Sequence, residues 1–453
     1  MPREGPYISR RHAMALGVAG MTAAATKNGG TTGYQTDETP PDKTIFSATA
    51  LQHDLETFDG FGIHRTGSAA DQATGEWMAE LWDELGYRVE RQTFTAPNYD
   101  TIDAKLTLSD GSSIDLLAQP PFYDMPADTP ETELVYANVG GPRTDASGAI
   151  LVTDTAFARH SSVGEPQIAF FVDMARQCQA TALVLIPNGP SGRGTLLNIN
   201  PSTDYPRMAI AHPNEAGPLR SAAISNETAR LTTPPPAIER SAQNIIGTLD
   251  RGPKRLVVST PISGWTHCAA ERGPGVATIR AISRWLCDHP TNYSITLCAT
   301  SGHELGGMGM KHWLDTNAPS PIDTDFWVHL GAGWAARNWH ETPVGLLPMT
   351  SSDPQRYLMA SDSAVIMANE AFRGLGGLAD VYPLRVQDAA GELRDIAEHR
   401  YNNVVGAFAA HKLHHVMDDR MNAVSGELLS PVANGFRSLI AMATDTLLSD
   451  RAL

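Results

Sequence analysis

Two short apolar runs in the second half of the chain predict buried strands. RLVVST covers 255–260 and SITLCATS covers 294–301. Continuous apolar runs of this length are typical of parallel strands that are covered on both faces. The segment 275–288 between them repeats apolar residues every three or four positions, as an amphipathic helix does. Strand, helix and strand in this order predict a parallel βαβ crossover.

Similar patterns elsewhere predict more elements of the same kind. Apolar residues three and four positions apart mark 78–85 and 428–447 as amphipathic helices. Gly86 is a stop signal after the first of them, and 325–333 is a third strand candidate. We therefore predict one α/β domain, which is built from 46–100 and 236–453.

The chain between these two parts has a different character. Residues 101–235 contain short strand-like runs separated by loops rich in Gly, Pro and Asp, with one helix near 167–179. Three consecutive prolines at 234–236 mark its end. We predict a small β-rich domain inserted into the α/β domain.

The N-terminus has the pattern of an export signal. Arg10 and Arg11 precede a short apolar stretch, and small residues follow at 23–25. A charged region, an apolar region and a small-residue cleavage site predict a signal peptide over 1–25, and the paired arginines favour the twin-arginine route. Residues 26–45 form a predicted linker. We expect an exported, periplasmic or extracellular protein, or a cytoplasmic one if the signal is not functional.

Composition excludes several classes of partner. The 453 residues carry 34 basic and 50 acidic side chains, a net charge of −16. A nucleic-acid binder needs a basic face, so we expect no nucleic acid as partner. The apolar runs are shorter than the roughly 20 residues that span a bilayer, so we expect no membrane insertion after signal cleavage.

Side chains that bind metals or move protons follow the predicted strands. Ligands bind at the carboxyl ends of strands in an open α/β sheet, and His with carboxylates at such an edge suits zinc. Taken singly, Glu304 is as typical of a helix start as of a metal site, and His414 with His415 is as typical of an exposed turn. Only the occurrence of all these residues together favours a metal. The candidates are Ser263, His267, Glu271, Arg272, His303, Glu304, His329, His414, His415, Asp418 and Asp419.

The order of these segments resembles the zinc aminopeptidase family, which includes leucyl aminopeptidases, glutamate carboxypeptidases and glutaminyl cyclases. The resemblance rests on 65–94, 243–260, SGHELGGMGMKHWL and HHVMDDRMNAV, and the insert resembles a protease-associated domain. It implies a mixed, mostly parallel sheet sandwiched by helices. It also implies hydrolysis or acyl transfer at an amide of a peptide or small molecule.

The resemblance also implies a reduced metal site. Pro261 and Gly331 stand where the family has ligands of the second zinc. The three places for the first zinc hold Glu271, Glu304 and His415, although a shift of one residue would select His414 instead. Three protein ligands leave a fourth position open for water or substrate. We therefore expect a single zinc ion.

The remaining candidate roles leave alternatives open. His303 stands where the family has its general base, and a neutral imidazole can accept a proton. Arg272 or His329 would stabilise an oxyanion. A metal-free enzyme would use His303 and Glu304 with Ser263 as nucleophile. A third hypothesis is a non-catalytic binding or scaffold protein that keeps the peptidase fold; we favour the single-zinc enzyme.

Overall fold

A mixed sheet of eight strands organises the part of the chain that carries the candidate residues. The structure is a computed structural model that describes residues 44–120, 126–142, 144–200, 205–289 and 291–449. The expected signal peptide and nearly all of the expected linker lie outside these residues. All described residues belong to one compact unit.

The strands, in chain order, have the following bounds. They are β1 (Arg88–Asn98), β2 (Asp103–Leu108), β3 (Ser113–Gln119), β4 (Thr132–Asn138), β5 (Gly141–Pro142), β6 (Ile150–Ala156), β7 (Ala182–Asn188), β8 (Met208–Ala211), β9 (Thr228–Thr232), β10 (Ile238–Leu249), β11 (Lys254–Pro261), β12 (Tyr293–Thr300), β13 (Thr324–Leu330), β14 (Arg337–Thr342), β15 (Gly345–Ser352), β16 (Arg356–Ala360), β17 (Tyr382–Pro383) and β18 (Val404–Ala409).

The main sheet has the strand order β1-β10-β12-β11-β13-β18-β16-β17. The central strands β12, β11, β13 and β18 run parallel. Strands β1 and β10 pair antiparallel with their neighbours, and β16 pairs antiparallel with β18 but parallel with β17. Leu256 and Val258 belong to the core on one face, and Val257 to a core on the other. Burial on both faces explains why these strands are continuous apolar runs.

Helices cover both faces of this sheet. The helices are α1 (Ala48–Phe61), α2 (Ala69–Glu84), α3 (Pro166–Gln177), α4 (Gly217–Ile224), α5 (Gly273–Asp288), α6 (Met308–Thr316), α7 (Val365–Ala371), α8 (Glu392–Glu398) and α9 (Gly426–Ser449). Helices α1, α2, α5 and α9 contribute to the core that contains Leu256, and α6 and α8 to the core that contains Val257. The predicted α/β architecture, a mixed sheet between helices, is therefore confirmed.

The predicted βαβ unit is present with small changes at its ends. Strands β11 and β12 pair in parallel, and α5 connects them. Helix α5 begins at Gly273, two residues before the predicted start. Helix α2 begins after Ser68, whose side chain accepts a hydrogen bond from Asp71 N. Strand β13 ends at Leu330, so Gly331 lies in the loop that follows it.

A second sheet occupies the middle of the chain. Its order is β5-β4-β6-β7-β8-β3-β2-β9, and a further pairing of β4 with β9 closes it on itself. Helices α3 and α4 pack against it, and it has a core of its own. Among the described residues, no helix is both long and apolar enough to cross a membrane.

Candidate active site at the carboxyl end of the parallel strands

The candidate residues meet where the parallel strands end. Ser263 follows β11, His303 and Glu304 follow β12, and the loop after β18 carries His414 and His415. Parallel strands that run in one direction place these loops at one edge of the sheet. The edge that the sequence predicted therefore exists.

Glycines make the sharp turn after β12 possible. His303–Leu305 form a single 3-10 turn, and the flanking Gly302 and Gly306 both have left-handed backbone angles, with φ of 84° and 72°. Residues with a Cβ rarely adopt this conformation. The GHELGG segment therefore projects Glu304 inward, where it is 1% exposed.

Arg272 joins the two acidic candidates. Its Nη2 lies 2.8 Å from Glu271 Oε1 and 2.6 Å from Glu304 Oε1, and its Nε donates to Ser263 O at 2.8 Å. Burial alone would lower the pKa of Arg272, but the two carboxylates outweigh it and raise this pKa. The guanidinium is therefore a permanent positive charge inside the protein.

Ser263 is tied into the turn after β12. Its Oγ donates to Glu304 Oε2 at 3.1 Å and accepts from the backbone N–H groups of Gly302 and His303 at 2.9 and 3.3 Å. Its hydroxyl proton is thus directed at Glu304 and not at the His303 ring. This geometry does not pair Ser263 with His303 as nucleophile and base.

Glu271, His414 and His415 form a compact set of potential metal ligands. One ligand atom from each lies within 4.8 Å of the other two, and all three side chains are buried. His415 Nε2 is 3.3 Å from Glu271 Oε1, and His414 Nδ1 is 3.9 Å from the same oxygen. Within the described part of the chain, this is the only such group of three or more.

The second nitrogen of His415 is held in place. Its Nδ1 lies 3.0 Å from the carbonyl oxygen of Leu196 and donates to it, which leaves Nε2 directed at Glu271. His415 also has a left-handed φ of 58°. A hydrogen bond from the far nitrogen to a carbonyl is the usual way in which proteins orient a metal-binding histidine.

The protonation states suit a cation. Burial alone would raise the pKa of Glu271, but Arg272, His414 and His415 together hold it well below its usual range. Burial, together with His415, lowers the pKa of His414. No hydrogen bond reaches Glu271 Oε1 and Oε2, His414 Nδ1 or His415 Nε2. An ionised carboxylate that lies beside two imidazole nitrogens without hydrogen-bond partners fits a divalent metal ion.

The structure therefore arranges the expected ligands differently. Glu271 and His415 are together, as expected, and His414 joins them where we expected Glu304. Glu304 instead contacts Arg272 and Ser263. The sequence left His414 and His415 as alternatives, whereas both side chains reach Glu271.

Beside these residues lies a second polar group. His303 Nδ1 is 3.4 Å from Glu392 Oε1, and Thr300 Oγ1 donates to both oxygens of Glu392 at 3.0 and 2.9 Å. Burial lowers the pKa of His303 to about 3 and that of His329 to about 4, and it raises the pKa of Glu392. His329 Nδ1 contacts Ser259 Oγ at 3.0 Å.

Sequence reasoning missed Glu392. It is the first residue of α8 and is 1% exposed. An acidic residue at a helix start usually interacts with the helix dipole, so its position carries no special signal. The only sequence signal is its place directly after Gly391, and that does not indicate its partner.

An open cleft of about 830 Å³ lies above the site. His303, His329, Glu392 and His414 line its inner part. Loops of the second sheet also contribute to its lining, with His160, Val163, Asn198, Ile199 and Tyr205. Arg272 and Ser263 are fully buried.

Solved structures share this architecture. A zinc aminopeptidase from Bacillus subtilis matches with a TM-score of 0.66 at 17% identity, covering 88% of this chain and 95% of its own. The fold is that of the zinc exopeptidases. A peptidase M28 precursor from Shewanella amazonensis has a TM-score of 0.66 at 15% identity, with 89% and 96% of the two chains covered.

An aminopeptidase from Aneurinibacillus sp. has a TM-score of 0.60 at 16% identity, again with 89% and 96% of the two chains covered. No family model and no curated protein matches the sequence. At these identities the likeness establishes the exopeptidase fold, while the activity has to be argued from the site.

Proposed function

We propose that this protein is a hydrolase or acyl transferase that acts on an amide bond, with one zinc ion held by Glu271, His414 and His415. The convergence of these three buried groups, whose facing atoms have no hydrogen-bond partner, carries the proposal. Two imidazoles and one carboxylate are a known ligand set of catalytic zinc. Zinc in such a site supplies Lewis acidity toward a carbonyl oxygen and toward water.

His303 is the group best placed to act on the substrate. It lines the cleft beside His414, and its Nδ1 faces Glu392. A pKa of about 3 keeps the imidazole neutral at physiological pH. It also makes the ring a weak base, because a base works best when its pKa lies near the working pH. We therefore assign His303 the role of orienting the attacking water by a hydrogen bond.

The cleft offers carboxyl oxygens to a substrate with a free amine. Its lining contains the carboxyl groups of Glu165, Asp388, Glu392 and Asp395, against the cations of Lys311 and Arg394. Tyr205, Tyr357 and Phe408 add aromatic surface. An acidic and partly apolar cleft suits the N-terminal end of a short peptide.

The test combines metal analysis with a substrate panel. We expect about one zinc per chain by elemental mass spectrometry, lost in His414→Ala and His415→Ala. Amino-acid and dipeptide amides should be cleaved, and their N-acetylated forms should be poor substrates. His340→Ala is the control, because His340 is exposed and belongs to the β14–β15 hairpin. Absence of bound zinc in folded wild-type protein would refute the proposal.

A second candidate is a binding protein on the same fold. The observation in its favour is that Arg272 already places a positive charge against both Glu271 and Glu304, so these buried carboxylates have a counter-charge without a metal. A folded protein without zinc that binds peptides, and cleaves none of the panel, would support this candidate.

The N-terminal residues also give a testable location. We propose that the chain is exported through its paired arginines and loses about the first 25 residues. Replacement of Arg10 and Arg11 by lysine should keep the protein in the cytoplasm with its N-terminus intact. Mass spectrometry of both cell fractions measures this directly.

A further inference from the structure

Two buried carboxylates face one another across a single guanidinium. Glu271 Oε1 and Glu304 Oε1 both contact the same nitrogen, Arg272 Nη2, at 2.8 and 2.6 Å. We infer that Arg272 is a built-in cation, which occupies the place of a metal ion between these carboxylates and limits the site to one ion. The inference rests on the proposed zinc site at Glu271, and it explains why Glu304 is not a ligand there.

Electrostatics requires a cation at this position. All three side chains are at most 1% exposed, and two like charges that close together in the interior cannot both stay ionised without a compensating charge. A divalent ion or a guanidinium would meet this need. The guanidinium is present, and its Nη2 lies 2.8 and 2.6 Å from the two carboxylates.

The backbone delivers the guanidinium to this place. Arg272 directly follows Glu271 and is the residue before α5, so the same loop carries the acid and its counter-charge. The bond from Nε to Ser263 O fixes the plane of the group. Arginine keeps its proton under all conditions in proteins, so this cation is not lost when the pH changes.

One carboxylate oxygen is shared between the guanidinium and the potential metal ligands. Glu271 Oε1 is approached by Arg272 and also by His414 and His415. Glu304 contacts Arg272 and accepts from Ser263. Both of its oxygens are thus engaged, and neither is offered to an ion. Loss of the guanidinium would free one oxygen of each carboxylate at the same point.

The experiment measures zinc per chain and thermal unfolding, with and without zinc. Wild type and Arg272→Lys, which keeps the charge, should bind about one ion, and Arg272→Ala about two. The apo form of Arg272→Ala should unfold at a clearly lower temperature than apo wild type. Zinc should restore the unfolding temperature of the variant. The inference would be overturned if Arg272→Ala still bound one ion and if zinc raised its unfolding temperature no more than it raises that of wild type.

Glu304→Gln gives a test that does not depend on folding of the arginine variant. It should retain the zinc of wild type, because Glu304 is not a ligand while Arg272 holds it. Loss of zinc in Glu304→Gln would overturn the inference. The double variant Arg272→Ala, Glu304→Gln should return to the wild-type ion content, and a second ion that persists there would also overturn it.

These outcomes separate the inference from the proposed function. Zinc in wild type with no gain in Arg272→Ala would leave the proposed enzyme intact and remove only the role of Arg272. No zinc in wild type, with one ion gained in Arg272→Ala, would refute the single-zinc enzyme and retain the built-in cation.

Discussion

The carboxylate of Asp419 holds the backbone of Glu271 in place. Its two oxygens accept hydrogen bonds from Ala270 N at 2.8 Å and from Glu271 N at 3.1 Å. His411 Nε2 lies 3.5 Å from the same carboxylate. The loop that carries His414 and His415 is thereby attached to the loop that carries Glu271, so the distances between the proposed ligands depend on Asp419.

Asp419→Ala should therefore weaken zinc binding although Asp419 is not a ligand. Two buried N–H groups lose their acceptor, which costs about 1–3 kcal/mol for each group left unpaired. Loss of a group that orients a ligand lowers metal affinity about 10–100-fold. Competition with a coloured zinc chelator measures the affinity. Asp418→Ala is the matched control, because this neighbour is 53% exposed and pairs with Arg193 on the surface. Equal effects of the two variants would contradict the prediction.

Glu392→Gln should loosen His303. The amide keeps an acceptor for Thr300 but loses the charge that faces His303 Nδ1 at 3.4 Å. His303 is assigned the role of orienting the attacking water, so loss of this positioning contact should lower kcat by about tenfold. Nitrogen NMR should show a change in the tautomer ratio of His303. Glu398→Gln, an exposed change in the same helix, should alter neither quantity.

Asp71→Asn should change the pH dependence of stability. Burial raises the pKa of Asp71 to about 7 from 3.8, and its carboxylate accepts from Gly67 N and Ser301 Oγ. Between these pH values the native state binds more protons than the unfolded state. The free energy of unfolding that this group contributes is therefore lost as the pH rises through 7. The unfolding free energies of variant and wild type should converge near pH 4. Above pH 7 the variant should be more stable, by a few kcal/mol at most.

Urea unfolding across this range measures the difference between Asp71→Asn and wild type. Asp83→Asn lies on the exposed side of the same helix and should leave the pH profile unchanged. A variant that is less stable than wild type at every pH would show that the negative charge of Asp71 contributes to the fold.

Gly264→Ala should destabilise the floor of the site. A Cβ at this position would lie 2.0 Å from Cys268 Sγ. Overpacking of this kind costs about 1–3 kcal/mol of unfolding free energy. Adding Cys268→Ala should recover most of the loss, which urea titration of the single and double variants measures. Gly60→Ala is the control, because nothing lies within 4 Å of its added Cβ. No recovery in the double variant would exclude the sulfur contact as the cause.

The position of the site was predictable from local pattern. Runs such as 255–260 and 294–301 are apolar throughout because both faces of β11 and β12 are covered, and this identifies them as central strands. Since parallel strands point the same way, Ser263 and His303 had to lie at one edge. The structure confirms that edge and the mixed sheet behind it.

The partners within the site were not predictable in the same way. Glu304 and His414 are both possible ligands by residue type. Which of them joins Glu271 and His415 depends on where the Arg272 guanidinium lies. Glu392 comes from α8, nearly ninety residues after His303, and only packing brings it to that ring. Separations of this kind in sequence carry no information on side-chain direction.

The sequence by itself determined the strands, the helices between them and the chemical character of the edge, because periodicity and burial act over a few neighbouring residues. The tertiary structure alone decided which charges meet. Glu271 contacts Arg272 beside it in the chain and His415 far along it, and such contacts at 2.8 and 3.3 Å are set by the packing of whole loops. Electrostatic energy in a buried site depends on these distances, and no local pattern contains them.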